Sequence, residues 1–173
     1  MAVANTKSTA ITNLDATPPQ LTNRALAGAP LLISKGICEV LAADDNGSVY
    51  RFVRLPSNAV IHDIRIKNDA ITGGTAYDCG VYETAGNGGA AVDDDLFASA
   101  VDISAGNTTW LDMRNEAGTT GVIDYNDDPL WVILDAGAAT LSADPNKQYD
   151  ICLTADTVGS GAGTILMEVI WSV

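Results

Sequence analysis

The sequence predicts an all-β protein: an antiparallel β-sandwich or jelly roll with one or two short helices and an extended N-terminal arm. Three observations carry this. From Gly36 onward the apolar residues come in short alternating runs, the period of two that gives a strand one buried face. The segments between runs are rich in Gly, Thr, Asn and Ser, with 16 glycines in 173 residues, a composition that suits turns between short strands. Before Gly36 neither the strand nor the helix period persists, and "TPPQ" and "AGAP" interrupt the chain. The length fits one core, and an apolar share of 47% can fill it. The expected division is an arm at 1–35 and a β-sandwich domain, jelly-roll-like, at 36–173.

Holding the arm in one conformation costs roughly 1 to 2 kcal/mol per residue in backbone entropy, and its composition offers little internal burial in return. It is expected to be disordered or laid on a neighbour. Fully extended it reaches on the order of 115 Å.

The first strand is read at "ICEVLA". "DDNGS" follows, with Asn46-Gly47 supplying the positive φ that a tight hairpin needs. "VYRFVRL" alternates Tyr50 and Phe52 against Val49, Arg51, Val53 and Leu55, and Pro56 ends it because proline cannot donate to a ladder. "AVIHDIRIK" puts Val60, His62, Ile64 and Ile66 on one face, expected to be buried, and Ile61, Asp63, Arg65 and Lys67 on the other. "TAYDCGVYET" repeats the device with Tyr77, Cys79 and Val81. After the Gly-rich "AGNGG", Asp94 or Asp95 is placed to cap one helical turn carrying Leu96, Phe97 and Val101.

"TTWLDMR" reads as a strand with Trp110 and Asp112 opposite Leu111 and Met113. "DDPLWVILDAG" has Asp128 at an N-cap, Pro129 in the first turn, helical spacing of Leu130, Ile133 and Leu134, and Gly137 as a stop, although a buried strand fits the same run. "YDICLTA" and "GTILMEVIWSV" read as a terminal antiparallel hairpin. That makes about seven strands, the pattern of a sandwich or jelly roll.

Net charge is −13, from 9 basic and 22 acidic residues. So acidic a chain repels a polyanion, and no nucleic-acid partner is expected. No run approaches the roughly 18 apolar residues of a membrane span, and the N-terminus lacks the basic and apolar regions of an export signal, so no membrane partner is expected. Cys38, Cys79 and Cys152 lack metal-ligand spacing and read as buried free thiols.

The residues singled out for chemistry are few. His62 is the only histidine, and with no nucleophile motif beside it the expectation is a satisfied, partly buried side chain and no enzyme. Asp93–Asp95 raises the thought of calcium, but the spacing misses the loop pattern that binds it, and no metal or cofactor is expected. Arg51, Arg54, Arg65 and Lys67 are four of the six cations after residue 35, and with Lys7, Arg24 and Lys35 of the arm they are the candidate partner-binding residues. Cross-strand pairing with Asp63, Asp69 or Glu83 is the competing use for them.

"GSVYRFVRLPSNAVIHDIRIKNDAI", "YDCGVYET", "VDDDLFASAVDIS", "PLWVIL", "YDICLTA" and "GTILMEVIWSV" together resemble small virion structural proteins of tailed bacteriophages. The resemblance covers roughly residues 39–173 and leaves the arm unmatched; its motifs are packing and turn motifs. It implies a capsid decoration, or cement, protein, made in the host cytoplasm and bound to the outer face of the shell. There it would clamp neighbouring major capsid subunits, associating with itself as a homotrimer in preference to a homodimer. A tail, neck or baseplate component is the alternative. Less favoured is a carbohydrate-binding β-sandwich using Trp110, Trp131 and Trp171, each of which sits in an apolar run that suits core packing.

Overall fold

The structure, a computed structural model, describes residues 16–18, 30–114, 128–135 and 142–173. Eight strands are described: β1 (Leu32–Val40), β2 (Ser48–Pro56), β3 (Val60–Asn68), β4 (Ala76–Glu83), β5 (Ala91–Val101), β6 (Asn107–Asp112), β7 (Gln148–Thr157) and β8 (Gly163–Ser172). Among the described residues a single 3-10 turn (Ala85–Asn87) lies between β4 and β5, and one α-helix, α1 (Leu130–Asp135), lies between β6 and β7. The strands form two four-stranded antiparallel sheets, in the orders β1-β8-β3-β6 and β2-β7-β4-β5. Successive strands change sheet at every connection except β4 to β5. Of the two expected architectures this is the jelly roll.

Every strand lends one face to the core between the sheets. Ile64, Ile66, Ile165, Met167 and Val169 of the first sheet meet Tyr77, Cys79, Val81, Ile151 and Leu153 of the second, all fully buried. Burying each aliphatic side chain stabilises the fold by about 1.5–3 kcal/mol relative to leaving it in water. Helix α1 closes one end of the sandwich. Its first amides, of Leu130 and Trp131, donate to the carbonyls of Ala59 and Ser57 at the β2–β3 turn, at 2.8 and 2.9 Å. Leu130 is fully buried. The helical reading of this run therefore holds for Leu130–Asp135, which begins just after the Pro129 expected as its first residue; Gly137 lies outside the described residues.

Several expectations are corrected. The last two strands do not form a hairpin: β7 lies between β2 and β4, and β8 between β1 and β3, in the opposite sheet. The Asn46-Gly47 turn, with Gly47 at φ +87, likewise joins strands of different sheets. Residues 91–101 form a strand and no helical turn. Pairing with β4 supplies backbone partners that override the capping signal of Asp94 and Asp95. β1 begins at Leu32, five residues before "ICEVLA", because β8 offers an unbroken ladder from Trp171 to Gly163.

Two β-bulges alter the expected faces. Ile61 faces Trp171 and Asp63 faces Ile170, leaving His62 as the extra residue. Ile61 and Ile64 therefore both point inward, whereas Val60, expected in the core, is only partly buried, as is His62. In β2, Arg51 faces Cys152 and Val53 faces Ile151, so Phe52 is extra. Tyr50, Phe52, Val53 and Leu55 are all buried, and Arg51 and Arg54 emerge on the same outer side despite their odd spacing.

Candidate partner-binding faces

On the outer face of the β2-β7-β4-β5 sheet, Arg51 and Arg54 converge on Asp150 of β7. Arg54 Nε and Nη2 donate to its two oxygens at 2.6 and 3.1 Å, and Arg51 Nη1 donates to Oδ2 at 3.0 Å. Burial raises the Asp150 pKa, but the hydrogen bonds and charges of Arg54 and Arg51 outweigh it and hold the carboxyl below its ordinary value. Arg51 reaches further. It donates to the carbonyls of Glu83 and Gly89 at 2.9 and 2.7 Å and lies over the Tyr82 ring at 5.3 Å, tying down the β4–β5 connection.

This face is covered by its own chain. Val81 faces Asp93 and Cys79 faces Ala98, so five steps on β5 span two on β4. The surplus backbone folds over Gly80, whose missing side chain makes room: a Cβ there would sit well inside contact distance of the Asp93 carbonyl oxygen and the Asp94 carbonyl. Asp78, Tyr82, Cys152 and Thr154, which point outward, are consequently buried, and the Tyr82 hydroxyl pairs with Thr154 Oγ1 at 2.7 Å.

The outer face of the β1-β8-β3-β6 sheet is different. Lys35 of β1, Glu168 of β8, Arg65 of β3 and Asp112 of β6 stand in one cross-strand row. Glu168, 3% exposed, accepts from Lys35 Nζ at 2.6 Å and from the Arg65 guanidinium. The hydrogen bond from Lys35 holds the Glu168 carboxyl below its ordinary value against the opposing effect of burial, with Arg65 adding to it. Arg65 and Lys67 both lie over the Trp110 ring, each 4.7 Å from its centroid, and Trp110 remains 37% exposed. Around the row stand Ile33 and Ile37, both well exposed, and the partly exposed Leu166 and Ile170.

The seven candidate binding residues thus do not form one site. Arg51 and Arg54 belong to one outer face, Lys35, Arg65 and Lys67 to the other, and Lys7 and Arg24 lie outside the described residues. The predicted pairing partners are mostly different too: Arg65 does approach Asp63 at 3.6 Å, but the main acceptors are Asp150 and Glu168, which sit on later strands. Reading the first strand from Ile37 misses exposed Ile33; alternation extended back through "LISKGI" reveals it.

His62 Nε2 lies 2.9 Å from Ser172 Oγ, a satisfied and partly buried ring. Cys79 and Cys152 are buried free thiols, and burial pushes the Cys152 thiol up to about 12; Cys38 is partly exposed. The carboxylates of Asp93, Asp94 and Asp95 lie within 4.8 Å of one another, and burial followed by a hydrogen bond to Asp95 pushes the Asp93 carboxyl up. The tryptophans share no platform. Trp110 faces outward between two cations, contrary to the expected core position, while Trp171 packs against the core and donates to Ser34 Oγ at 3.0 Å.

No family model matches the chain, and no curated protein matches it in sequence. Solved structures do match its fold. A chain of the capsid of Ralstonia phage GP4 aligns with a TM-score of 0.54 at 12% identity, over 83% of this chain and 84% of that one. The cyanophage Pam1 capsid asymmetric unit aligns at 0.45 and 12% identity, over 83% and 85%. The acid-stable capsid of Helicobacter pylori bacteriophage KHP30 aligns at 0.43 and 8%, over 83% and 87%. The GP4 likeness, at this identity, is one of fold alone.

Proposed function

We propose that this chain is a non-enzymatic virion structural protein that binds the outside of a phage capsid and clamps neighbouring major capsid subunits, as a decoration or cement protein. The observation that carries the reading is the jelly roll shared over 83% of the chain with a chain of the GP4 capsid. The two outer faces agree with such a role, since one is closed by the chain itself and the other leaves Ile33, Ile37 and Trp110 exposed beside Lys35, Arg65 and Lys67. A partner with an apolar surface and carboxylates at its rim matches that face. The segment before β1, with Lys7 and Arg24, adds a second and separate contact, so that several weak attachments act together. Arg54, half exposed although paired with Asp150, is the candidate contact on the other face.

Deleting residues 1–30 is expected to leave a folded domain that no longer co-sediments with purified shells lacking the protein; binding at full-length affinity overturns the clamp. Quantifying the chain in virions separates this reading from a tail, neck or baseplate part, because decoration requires hundreds of copies per particle and a tail part a handful.

A further inference from the structure

Four strands end the two sheets, and three of them are spoiled as templates for further pairing. β2 carries the bulge at Phe52 and ends in Pro56; β5 shifts register three times and bears Asp93–Asp95; β6 has only six residues and shifts register against β3. Such irregularities are how sheets discourage added strands. β1 has none. Its nine residues pair without interruption with β8, contain no proline, and among the described residues nothing pairs with the opposite edge. The outward row along this edge is Ile33, Lys35, Ile37, Glu39 and, continuing past the strand, Leu41, with Ile37 66% and Ile33 and Leu41 each 58% exposed.

That row is self-complementary in one antiparallel register. We propose that the open edge of β1 is a twofold interface with a second copy of this chain, the two β1 strands pairing with Ile37 on the axis. Ile37 then faces Ile37 of the second copy, Lys35 faces Glu39, Glu39 faces Lys35, and Ile33 faces Leu41. Apolar residues meet apolar ones and each charge meets its opposite, the cross-strand pairs that stabilise sheets. Neighbouring registers fail. An axis at Gly36 sets Lys35 against Ile37 and Ile33 against Glu39; an axis at Cys38 sets Ile37 against Glu39; axes at Lys35 or Glu39 oppose like charges. Lys35 already holds Glu168, but an ammonium has three donors and can serve Glu39 of the second copy as well. The result is one eight-stranded sheet running through both copies, its exposed backbone edge removed. The interface does not depend on capsid binding.

The full chain, with Cys38 replaced by serine, tests it. Ile37→Cys places two thiols across the axis with Cα atoms about 4.5–5.5 Å apart, within disulfide range. Mild oxidation is expected to cross-link it nearly completely. Ile33→Cys, whose copies lie about 26 Å apart along the ladder, is expected to stay uncross-linked. By sedimentation the unmodified chain is expected to be a dimer whose melting temperature rises with concentration, and Ile37→Lys a folded monomer whose melting temperature does not. Three results overturn the interface: a monomer at every concentration; a threefold assembly in which the Ile37→Cys variant does not cross-link; or a monomer whose β1 amides resist hydrogen exchange on both edges, which means that the chain's own N-terminal segment occupies the site.

Discussion

The outer face of the β2-β7-β4-β5 sheet is closed by the chain itself, whereas the outer face of the β1-β8-β3-β6 sheet is left to solvent. On the first, β5 uses surplus backbone to cover Gly80 and Arg51 staples the β4–β5 loop that precedes it, so that even outward side chains such as Cys152 and Thr154 are buried. On the second, a row of paired charges crosses four strands with isoleucine and tryptophan exposed beside it. The difference teaches where stability and where contact reside. A face already packed by its own strands has little left to offer a partner, and its mutations read out as folding. A face whose charges are neutralised in rows, with exposed apolar groups around them, can be covered at small desolvation cost.

The largest expected effect tests the closed face. Gly80→Ala drives a Cβ into the backbone of Asp93 and Asp94, where no side chain can swing aside. A loss of about 3 kcal/mol is expected in denaturant unfolding, at the upper end for overpacking. A loss under about 0.5 kcal/mol, the range of an ordinary surface change, would mean that β5 does not seal that face as described.

Next in size is Asp150→Asn, which removes the shared acceptor of Arg51 and Arg54. Charge-assisted hydrogen bonds of this kind contribute about 1.5–3 kcal/mol. Because the folded pKa of Asp150 is depressed, the unfolded chain takes up the proton first as pH falls. The stability gap between wild type and Asp150→Asn should therefore be full at about pH 6 and close as pH drops below about 4, the ordinary carboxylate range. A gap that persists unchanged to low pH breaks the assignment of Asp150 as the ionised centre of this face.

The smallest effect belongs to the open face. Trp110→Ala forfeits two exposed cation–π contacts, about 0.5–1 kcal/mol each at most, and should move the unfolding midpoint little. In shell binding the same change should cost tenfold or more. Reversed magnitudes, a large stability loss with binding intact, would assign Trp110 to the fold and make the two faces alike.

Most strands were legible because alternation is written locally. "TAYDCGVYET" marks Tyr77, Cys79 and Val81 as core residues whatever strand lies beside them, and all three are buried. The helix at Leu130 was legible through its preceding Asp128 and Pro129. Misreadings occurred where a distant partner decided. Asp94 and Asp95 look like helix caps until β4 supplies a ladder, and Val60 looks like a core residue until the β8 register makes its neighbour His62 a bulge. The candidate site was legible only in its parts. Four clustered cations could be named, but their principal acceptors, Asp150 and Glu168, lie roughly a hundred residues away.

By itself the sequence determined the class of the fold: most of the segments that are strands, and which of their residues are oily enough to need a core. Only the tertiary structure decided that β7 and β8 part into different sheets, that two bulges alter which residues face the core, turning Arg51 and Arg54 to one side, and that β1 keeps a clean edge. The physical reason is reach. Side-chain alternation and turn chemistry act over a few neighbouring residues, while strand order and register are settled by backbone hydrogen bonds and packing between segments far apart in the chain.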